Sequence, residues 1–175
     1  MIGLGLHACQ AMPLDPSLYR RACGRFATGV AIVTAADSAG TPHGLTINSF
    51  ASLSLDPPLV MVAIDRRVAF IDVFEKHGAF AVNILRDQQR ELSNRFAVLP
   101  EGRFAGVEWS GGVTGSPVLE GAIGVIECRI ERAFDAGDHR VLVGLAIAAE
   151  VGAGKPLLFF GSDYARIEEA AKERK

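Results

Sequence analysis

The chain has 175 residues, of which 49% are hydrophobic and 22% are charged, and its formal net charge is -2. This composition is typical of a single globular domain with a substantial core, and it argues against a general polyanion-binding protein. No apolar run is as long as a membrane span, so no membrane association is expected. The three cysteines form no Cys-x-x-Cys pair. Their odd number indicates reduced thiols and a cytoplasmic location.

The organised part of the chain is predicted to begin at Asp15. Residues 1–14 lack the positively charged start of a secretory signal, and we interpret them as a poorly ordered extension. Whether the residues before Met12 are native stays open. Asp15 is a good helix N-cap and Pro16 is favoured in a first turn, which predicts a helix over residues 17–26 that ends by Gly29. The predicted domain spans residues 15–168, and residues 169–175 form a polar tail.

Hydrophobic periodicity and turn residues divide the rest of the chain into strands that are joined mostly by turns. Strands are predicted over residues 30–36, 41–45, 59–64, 80–85, 122–134, 140–151, 156–160 and 164–167. Helices are predicted over residues 68–77 and 87–97, and residues 98–117 are predicted to be a long loop with one short strand around 107–109. Strands outnumber helices and no regular βαβ alternation occurs. The pattern predicts a mainly β protein, an antiparallel and nearly closed sheet with peripheral helices.

One stretch, residues 44–59, mixes polar and apolar residues in an unusual way. Apolar residues alternate with the hydroxyls of Thr46, Ser49, Ser52 and Ser54 and the carboxamide of Asn48. One interpretation is a half-buried strand with a hydrated face, which is common in antiparallel sheets. The other is a segment that lies between the core and a polar, partly flat ligand. The residues alone slightly favour the first interpretation.

Two further features have both a structural and a functional interpretation. Arg66 and Arg67 follow a predicted strand, and arginine presents a fork of donors that suits phosphate. For an isolated arginine pair, however, an exposed pair in a loop is the preferred interpretation. His139 ends a Gly-Asp-His turn, which is either a simple hairpin turn or the rim of a site for a second ligand. Together with Asn48, Ser49 and Ser52, the arginine pair suggests a ligand with an anionic tail and a flat, partly apolar head.

Other classes of site find little support in the sequence. The four histidines stand in no recognisable arrangement with the serines, so a serine hydrolase is not predicted. No His, Cys and carboxylate cluster has metal-ligand spacing, so no metal is predicted. A basic patch interleaved with aromatic residues is also missing, which argues against nucleic-acid binding.

Several motifs in order resemble one known family over residues 19–167. They are GRFATGV at 24–30, HGLTINSFASLS at 43–54 followed by Pro57, FAVNIL at 80–85, GDH at 137–139 and PLLFF at 156–160. Each motif alone is weak, but all of them occur in the family's order. The chain resembles the short-chain flavin reductases, which are the reductase components of two-component flavin monooxygenases.

The resemblance implies a fold and a set of site residues. The fold would be the FMN-binding split barrel, an antiparallel sheet of Greek-key type. The isoalloxazine ring and ribityl chain would be lined by Thr46, Ile47, Asn48, Ser49, Phe50, Ser52 and Leu53. The phosphate end of the flavin would meet Asp65, Arg66, Arg67 and Val68. The nicotinamide nucleotide would lie near Phe26, Thr28 and His139. Many relatives carry a Ser-x-Thr-like or Lys-containing segment where this chain has residues 65–69, and the two arginines would replace those phosphate donors.

The resemblance also implies an activity. The chain would reduce free or loosely bound FMN or FAD with NADH or NADPH and supply the reduced flavin to a partner oxygenase. Hydride transfer of this kind needs neither a nucleophile nor a metal. A homodimer is implied as well. The alternatives are a non-catalytic flavin-binding redox sensor or electron-transfer protein, and a binding protein that has lost the flavin. The sequence does not choose between FMN and FAD or between NADH and NADPH, and it does not name the oxygenase.

Overall fold

The computed structural model describes residues 14–167, and most of its regular structure is antiparallel β-sheet. The helices are α1 (Pro16–Cys23), α2 (Ile71–His77) and α3 (Arg90–Val98), with a 3-10 turn at Asp87–Gln89. The strands are β1 (Thr28–Gly29), β2 (Ala31–Ala36), β3 (Pro42–Ile47), β4 (Ala51–Leu55), β5 (Pro58–Asp65), β6 (Ala79–Ile84), β7 (Trp109–Gly111), β8 (Pro117–Leu119), β9 (Gly124–Ala136), β10 (His139–Val151), β11 (Leu158–Phe160) and β12 (Asp163–Ala165). The predicted tail at 169–175, and all but the last residue of the predicted extension, lie outside the described residues.

The main sheet has seven strands in the order β3-β2-β6-β9-β10-β5-β4. Its two edge strands, β3 and β4, are consecutive in the chain and are joined by only three residues. The sheet must therefore curl until its edges meet. Ser49 makes the connection, because its hydroxyl donates to the carbonyl of Ala63 at 2.8 Å and accepts from the Ala63 N–H at 3.0 Å. The predicted antiparallel, nearly closed sheet is confirmed.

Strand β2 is buried along its whole length because both of its faces are covered. Val33 faces the core inside the curled sheet, which α2 also enters with Phe74. Ile32 faces a second core, formed with Phe96 of α3. Fully covered strands read as continuous apolar runs rather than alternating ones, which explains why residues 30–36 show so little alternation. Gly44 on β3 is also required here, since a Cβ would lie 3.2 Å from the Phe96 ring.

The segment predicted as a long loop supplies the first strand of a hairpin, β7–β8, whose second strand begins at the last residue of that segment, Pro117. Its first strand begins at Trp109, two residues later than predicted. The buried carboxamide of Asn83 holds the second strand, since its oxygen accepts from the Leu119 N–H at 2.8 Å. The amide nitrogen of Asn83 donates to the carbonyl of Ile32 at 3.1 Å. This pairing joins residues that are far apart in the chain, so no local pattern predicted it.

Three helix boundaries lie three residues from the predicted ones, and one of them is the start of α3, where Asp87–Gln89 forms a 3-10 turn instead. Asp15 caps α1 as expected, accepting from the Ser17 N–H at 2.9 Å, but the helix ends at Cys23 because Gly24 is its C-cap and tighter turns follow. Helix α2 starts three residues late, because residues 65–71 form successive turns. It ends as predicted at Gly78, whose φ of 73° suits glycine. No helix within residues 14–167 is both long enough and apolar enough to cross a membrane.

Candidate functional site

At the corner between β3 and β4, some polar side chains are hydrogen-bonded within the fold and others are not. The Thr46 hydroxyl donates to the carbonyl of Ser93 at 2.7 Å, and the Ser49 hydroxyl is fully used by Ala63. Both therefore hold the fold together. Asn48 and Ser52 are exposed, and neither side chain makes a hydrogen bond within residues 14–167. The corner thus presents one free carboxamide and one free hydroxyl to solvent.

The apolar residues of the same stretch also separate. Ile47 is 7% exposed and belongs to the core, and Phe50 packs against that core while partly accessible. Leu53 stands at a register shift between Ser52 and Ser54, and half of its surface is exposed. A residue at such a bulge is turned away from the regular pleat, which leaves Leu53 on the surface.

A small recess opens beside Asn48. Its volume is about 210 Å³, and it is lined by Val30, Thr46, Ile47, Asn48, Ala97, Phe159 and Tyr164. The Tyr164 hydroxyl is already paired with the Ser93 hydroxyl and with the Asn94 carboxamide, both at 2.9 Å. Since Thr46 is paired as well, Asn48 is the only lining residue whose polar side chain is uncommitted within the described residues. The recess is suited to a flat, largely apolar group with one polar edge.

Sequence reasoning missed four of these lining residues, Val30, Ala97, Phe159 and Tyr164, and the last two form an aromatic wall. Their rings meet edge to face, with centroids 5.7 Å apart, in the hairpin β11–β12. Tyr164 also ties this hairpin to α3 through its hydroxyl. An aromatic pair in the last predicted hairpin was the available signal, but it gave no indication that the hairpin lies against the β3–β4 corner.

Thr28 and Phe26 lie at the other side of that hairpin. Thr28 on β1 is the ladder partner of Phe159, so it is a neighbour of the recess wall. Its hydroxyl is buried and has no hydrogen-bond partner within the described residues. Phe26 is 77% exposed. An aromatic side chain this exposed is available to a ligand, whereas the Thr28 hydroxyl lies beneath the surface.

The two predicted phosphate-binding arginines are accessible but already paired. Arg67 donates to the Asp65 carboxylate through its guanidinium, with one contact of 2.6 Å, and this hydrogen bonding holds the pKa of Asp65 well below its usual range. Arg66 lies 3.4 Å from Asp135. Exposed pairs of this kind contribute about 0–1 kcal/mol, so a phosphate can replace or share these partners at little cost.

His139 is brought to the same end of the sheet. It is the ladder partner of Asp65 on β5, and its Nδ1 lies 2.7 Å from the Asp138 carboxylate. The His139 side chain is 42% exposed. Because Ser49 bonds to Ala63, two residues before Asp65, the β3–β4 corner, the arginine pair and His139 lie along neighbouring strands. Within the described part of the chain, no cluster of three or more His, Cys, Asp or Glu residues is placed to hold a metal.

Comparison with known proteins identifies the family. The model of the flavin reductase like domain matches residues 23–168. The chain belongs to the flavin reductase like family. Its relatives include a probable flavin reductase of Rhizobium meliloti (strain 1021), 43% identical over 78% of this chain and 44% of the relative. Another is the flavin-dependent monooxygenase reductase subunit HsaB of Rhodococcus jostii (strain RHA1), 38% identical over 92% of this chain and 83% of the relative. The chain thus spans less than half of the first relative and most of the second.

Solved structures agree with the family assignment. The NADH:FAD oxidoreductase SgcE6 of Streptomyces globisporus C-1027 superimposes with a TM-score of 0.84 and 35% identity, covering 90% of this chain and 96% of that one. The predicted split-barrel fold is therefore confirmed for this flavin reductase-like domain. The residues beside Asn48 fit a flavin, since an apolar recess, a free carboxamide and an arginine pair match a flat ring with a phosphorylated tail. The roles of the individual residues stay predictions.

Proposed function

We propose that the chain is an NAD(P)H:flavin oxidoreductase that reduces FMN or FAD and supplies it to a separate oxygenase. The observation that carries the proposal is the recess beside Asn48, whose side chain makes no hydrogen bond within the described residues. Arg66 and Arg67 directly follow β5, the strand to which Ser49 of the β3–β4 corner is hydrogen-bonded. Family membership supports the reaction class, and relatives named as monooxygenase reductase subunits support an oxygenase partner. The choice between the two flavins and between the two nicotinamides stays open.

A bound flavin supplies the ring that accepts the hydride, which leaves binding and orientation to the protein. Asn48 and the backbone N–H groups of Asn48 and Ser49 are the proposed donors to the polar edge of that ring, where they stabilise negative charge. Phe159 and Tyr164 cover its apolar part and exclude water. Arg66 and Arg67 hold the phosphate by charge-assisted hydrogen bonds.

The nicotinamide nucleotide is assigned to the side of His139, Phe26 and Thr28. With Nδ1 of His139 held by Asp138, the other ring nitrogen remains to orient the nucleotide. His139→Ala is therefore expected to lower kcat/KM for NAD(P)H about tenfold while leaving the flavin Kd nearly unchanged. Steady-state kinetics with both substrates varied measures the first quantity, and fluorescence titration measures the second. Unchanged nicotinamide kinetics would remove His139 from the site.

The experiment that tests the activity is anaerobic mixing of the protein with FMN or FAD and either NADH or NADPH. We expect the visible absorbance of the oxidised flavin to disappear with at least one pair, and at a rate that rises with protein concentration. A flavin that binds but is reduced by neither nucleotide would support the redox sensor or electron-transfer alternative. A protein that binds no flavin in a titration would support a binding module that has lost the ligand.

We further propose a homodimer and a cytoplasmic location. The homodimer follows from the family resemblance, and the exposed apolar side chains of Leu55, Val113 and Val151 are candidates for its contact. Cys23 and Cys128 are both unpaired, as expected in a reducing compartment. Gel filtration with light scattering tests the first proposal, because a monomer mass at micromolar concentration would contradict it. Fractionation of the producing cells tests the second.

A further inference from the structure

Two adjoining grooves lie beside the β7–β8 hairpin, and one of them also follows α3. Each has a volume of about 750 Å³, which is within the usual range of ligand sites. Their linings share Val107, Glu108, Glu120 and Gly121, so the two grooves join into one trough. None of the residues assigned above to the flavin or the nicotinamide lines this trough. It is therefore a separate surface of the molecule.

Arg86 is fixed at the α3 end of the trough, but its guanidinium has no polar partner. A Cβ at Gly121 would lie 3.0 Å from the Arg86 Nη2 and 3.2 Å from its Cζ, so the guanidinium packs directly on this glycine. The Arg86 backbone is held as well, since its N–H donates to the Gln89 carboxamide at 3.0 Å. The Nε of Arg86 is buried and has no hydrogen-bond partner within the described residues. Arginine is rarely buried unless it is paired, so Arg86 lacks an anion that a ligand can supply.

Arg95 adds a second guanidinium from α3. It lies one turn after Glu91, on the face of the helix that turns away from Ala97 in the wall of the flavin recess. Neither Arg95 nor Glu91 makes a side-chain hydrogen bond or an ion pair within residues 14–167. The same holds for the exposed carboxylates of Glu108 and Glu120. The trough thus contains charges of both signs that do not neutralise one another.

The sign of the charge changes along the trough. At the α3 end the two arginines outnumber Glu91, so positive charge predominates. In the shared middle, the Glu120 N–H donates to the Glu108 carbonyl at 3.1 Å, which places these two carboxylates opposite each other. Like charges in such positions repel, and a cation between them relieves the repulsion. Glu150 lines the hairpin end, whose described lining includes no lysine or arginine.

Apolar side chains line the trough between these charges. Leu92 and Val107 pack against the second core and reach the α3 end. Trp109 lines the hairpin end, where its ring meets that of Phe104 edge to face, with centroids 6.0 Å apart. The Trp109 side chain is therefore held by the core, yet it is 38% exposed. An apolar or aromatic group of a ligand can cover this open surface.

We propose that the trough binds a zwitterion of the amino-acid type with an apolar side chain. Arg86 and Arg95 hold the carboxylate of this ligand, because a guanidinium binds a carboxylate through charge-assisted hydrogen bonds. The ammonium group lies between Glu108 and Glu120, and the apolar side chain covers Trp109. A ligand with one charge alone would meet repulsion at one part of the trough. The inference goes beyond the proposed function, since it needs neither flavin nor nicotinamide.

Titrations with three related compounds test the proposal on the native chain. L-phenylalanine carries both charges, phenethylamine lacks the carboxylate, and phenylpropionate lacks the ammonium group. Trp109 is the only tryptophan of the chain, so its fluorescence reports on the trough, and calorimetry gives an independent Kd. We expect L-phenylalanine to bind with a Kd of about 1 mM or tighter, and each analogue about tenfold more weakly, because one charged contact is lost.

Two charge variants assign the contacts. Arg95→Ala is expected to remove most of the preference for L-phenylalanine over phenethylamine. Glu108→Gln is expected to remove most of the preference over phenylpropionate. The control on the same helix is Arg90→Ala, since Arg90 lies 3.3 Å from Asp163 and lines neither groove, and it should retain both preferences. The urea midpoint of each variant is measured to show that it is folded.

Three results would overturn the proposal. The first is an absence of saturable binding of L-phenylalanine up to about 10 mM. The second is an analogue that binds the native chain as tightly as the amino acid, since the trough would then not recognise both charges. The third is an unchanged pair of preferences in both variants, which would place the binding elsewhere. The flavin titrations are separate measurements, so failure of the proposed function would leave these results unaffected.

Discussion

The β3–β4 corner and the β7–β8 hairpin are two short segments that polar side chains attach to the same barrel. At the hairpin, Glu127 is 6% exposed and accepts from the N–H groups of Val113 and Thr114 at 3.0 and 2.8 Å. It also accepts from the Thr114 hydroxyl at 2.7 Å. At the corner, the Ser49 hydroxyl is likewise hydrogen-bonded to the backbone of Ala63. Its neighbour Asn48 is exposed, and the Asn48 side chain makes no hydrogen bond within the described residues.

The difference separates polar groups that stabilise the fold from polar groups that are available to a ligand. A buried polar group that loses its partner costs about 1–3 kcal/mol, so a committed group shows its role in the free energy of unfolding. An exposed and unpaired group has little to lose in the folded protein. Its role is expected to show in ligand affinity instead. The following substitutions test this separation, from the largest expected effect to the smallest.

Glu127→Ala is expected to lower the free energy of unfolding by about 3 kcal/mol, because three donors of the hairpin lose their acceptor. Urea denaturation measures this loss. Glu127→Gln keeps one acceptor oxygen and is expected to lose about half as much. Glu131→Ala is the matched control on the same strand, since Glu131 is exposed. Equal stability of Glu127→Ala and Glu131→Ala would contradict the structural role of Glu127.

Ser49→Ala and Asn48→Ala form the sharpest pair, because the two residues are adjacent. Ser49→Ala is expected to cost about 1–2 kcal/mol of stability, since both polar groups of Ala63 lose their partner. Asn48→Ala is expected to change stability by less than about 0.5 kcal/mol and to weaken flavin binding severalfold. Urea denaturation and flavin fluorescence titration measure the two quantities. If Asn48→Ala were destabilised but bound flavin with native affinity, Asn48 would be a residue that stabilises the fold and not one that binds the ligand.

The double substitution Arg66→Ala and Arg67→Ala tests whether the two arginines bind the phosphate of the flavin. The double variant is expected to bind FMN about tenfold more weakly, which corresponds to about 1.4 kcal/mol, because charge-assisted hydrogen bonds to phosphate are lost. Riboflavin has no phosphate, so its Kd is expected to change little. Arg129→Ala, an exposed arginine of β9, is the charge control. Equal losses for FMN and riboflavin would exclude a phosphate role.

Much of the fold, including a nearly closed antiparallel sheet, was predictable from local pattern, while the contact that closes the sheet was not. Residues 30–36, for example, are apolar and β-branched, and segments of this kind, separated by turn residues, predicted most of the strands. The order of the strands in the sheet was not predicted. The closure depends on the bond between Ser49 and Ala63, which only the assembled sheet brings together. The β7–β8 hairpin likewise depends on Asn83 and Glu127, which lie on distant strands. The local sequence around each residue therefore does not indicate its partner.

The candidate site shows the same limit at the level of single side chains. In the sequence, Thr46 and Ser49 look no different from Asn48 and Ser52, because all are polar residues in one alternating stretch. Only the positions of α3 and β5 decide which of them are already paired. The stack of His43, Phe70 and Arg103 was not predictable either, since Phe70 lies 27 residues from His43 and 33 from Arg103 in the chain.

Asp65 belongs to both kinds of polar group, since it is hydrogen-bonded to Arg67 within the fold and lies at the proposed phosphate site. Varying the pH isolates its contribution to the free energy of unfolding. Hydrogen bonds from Arg67 depress the pKa of Asp65 in the folded chain below the ordinary value of 3.8. A depressed carboxyl pKa adds stability above the unfolded value, and this stability is lost as the pH falls below about 3.8. The stability difference between the native chain and Asp65→Asn should therefore narrow below that pH, as followed by urea midpoints. Arg67→Ala should remove most of this narrowing, because Arg67 is its main cause. If the stability difference between the native chain and Asp65→Asn is the same at pH 6 and pH 3, the Asp65–Arg67 pair contributes nothing to stability. Arg67 would then be available to bind a phosphate.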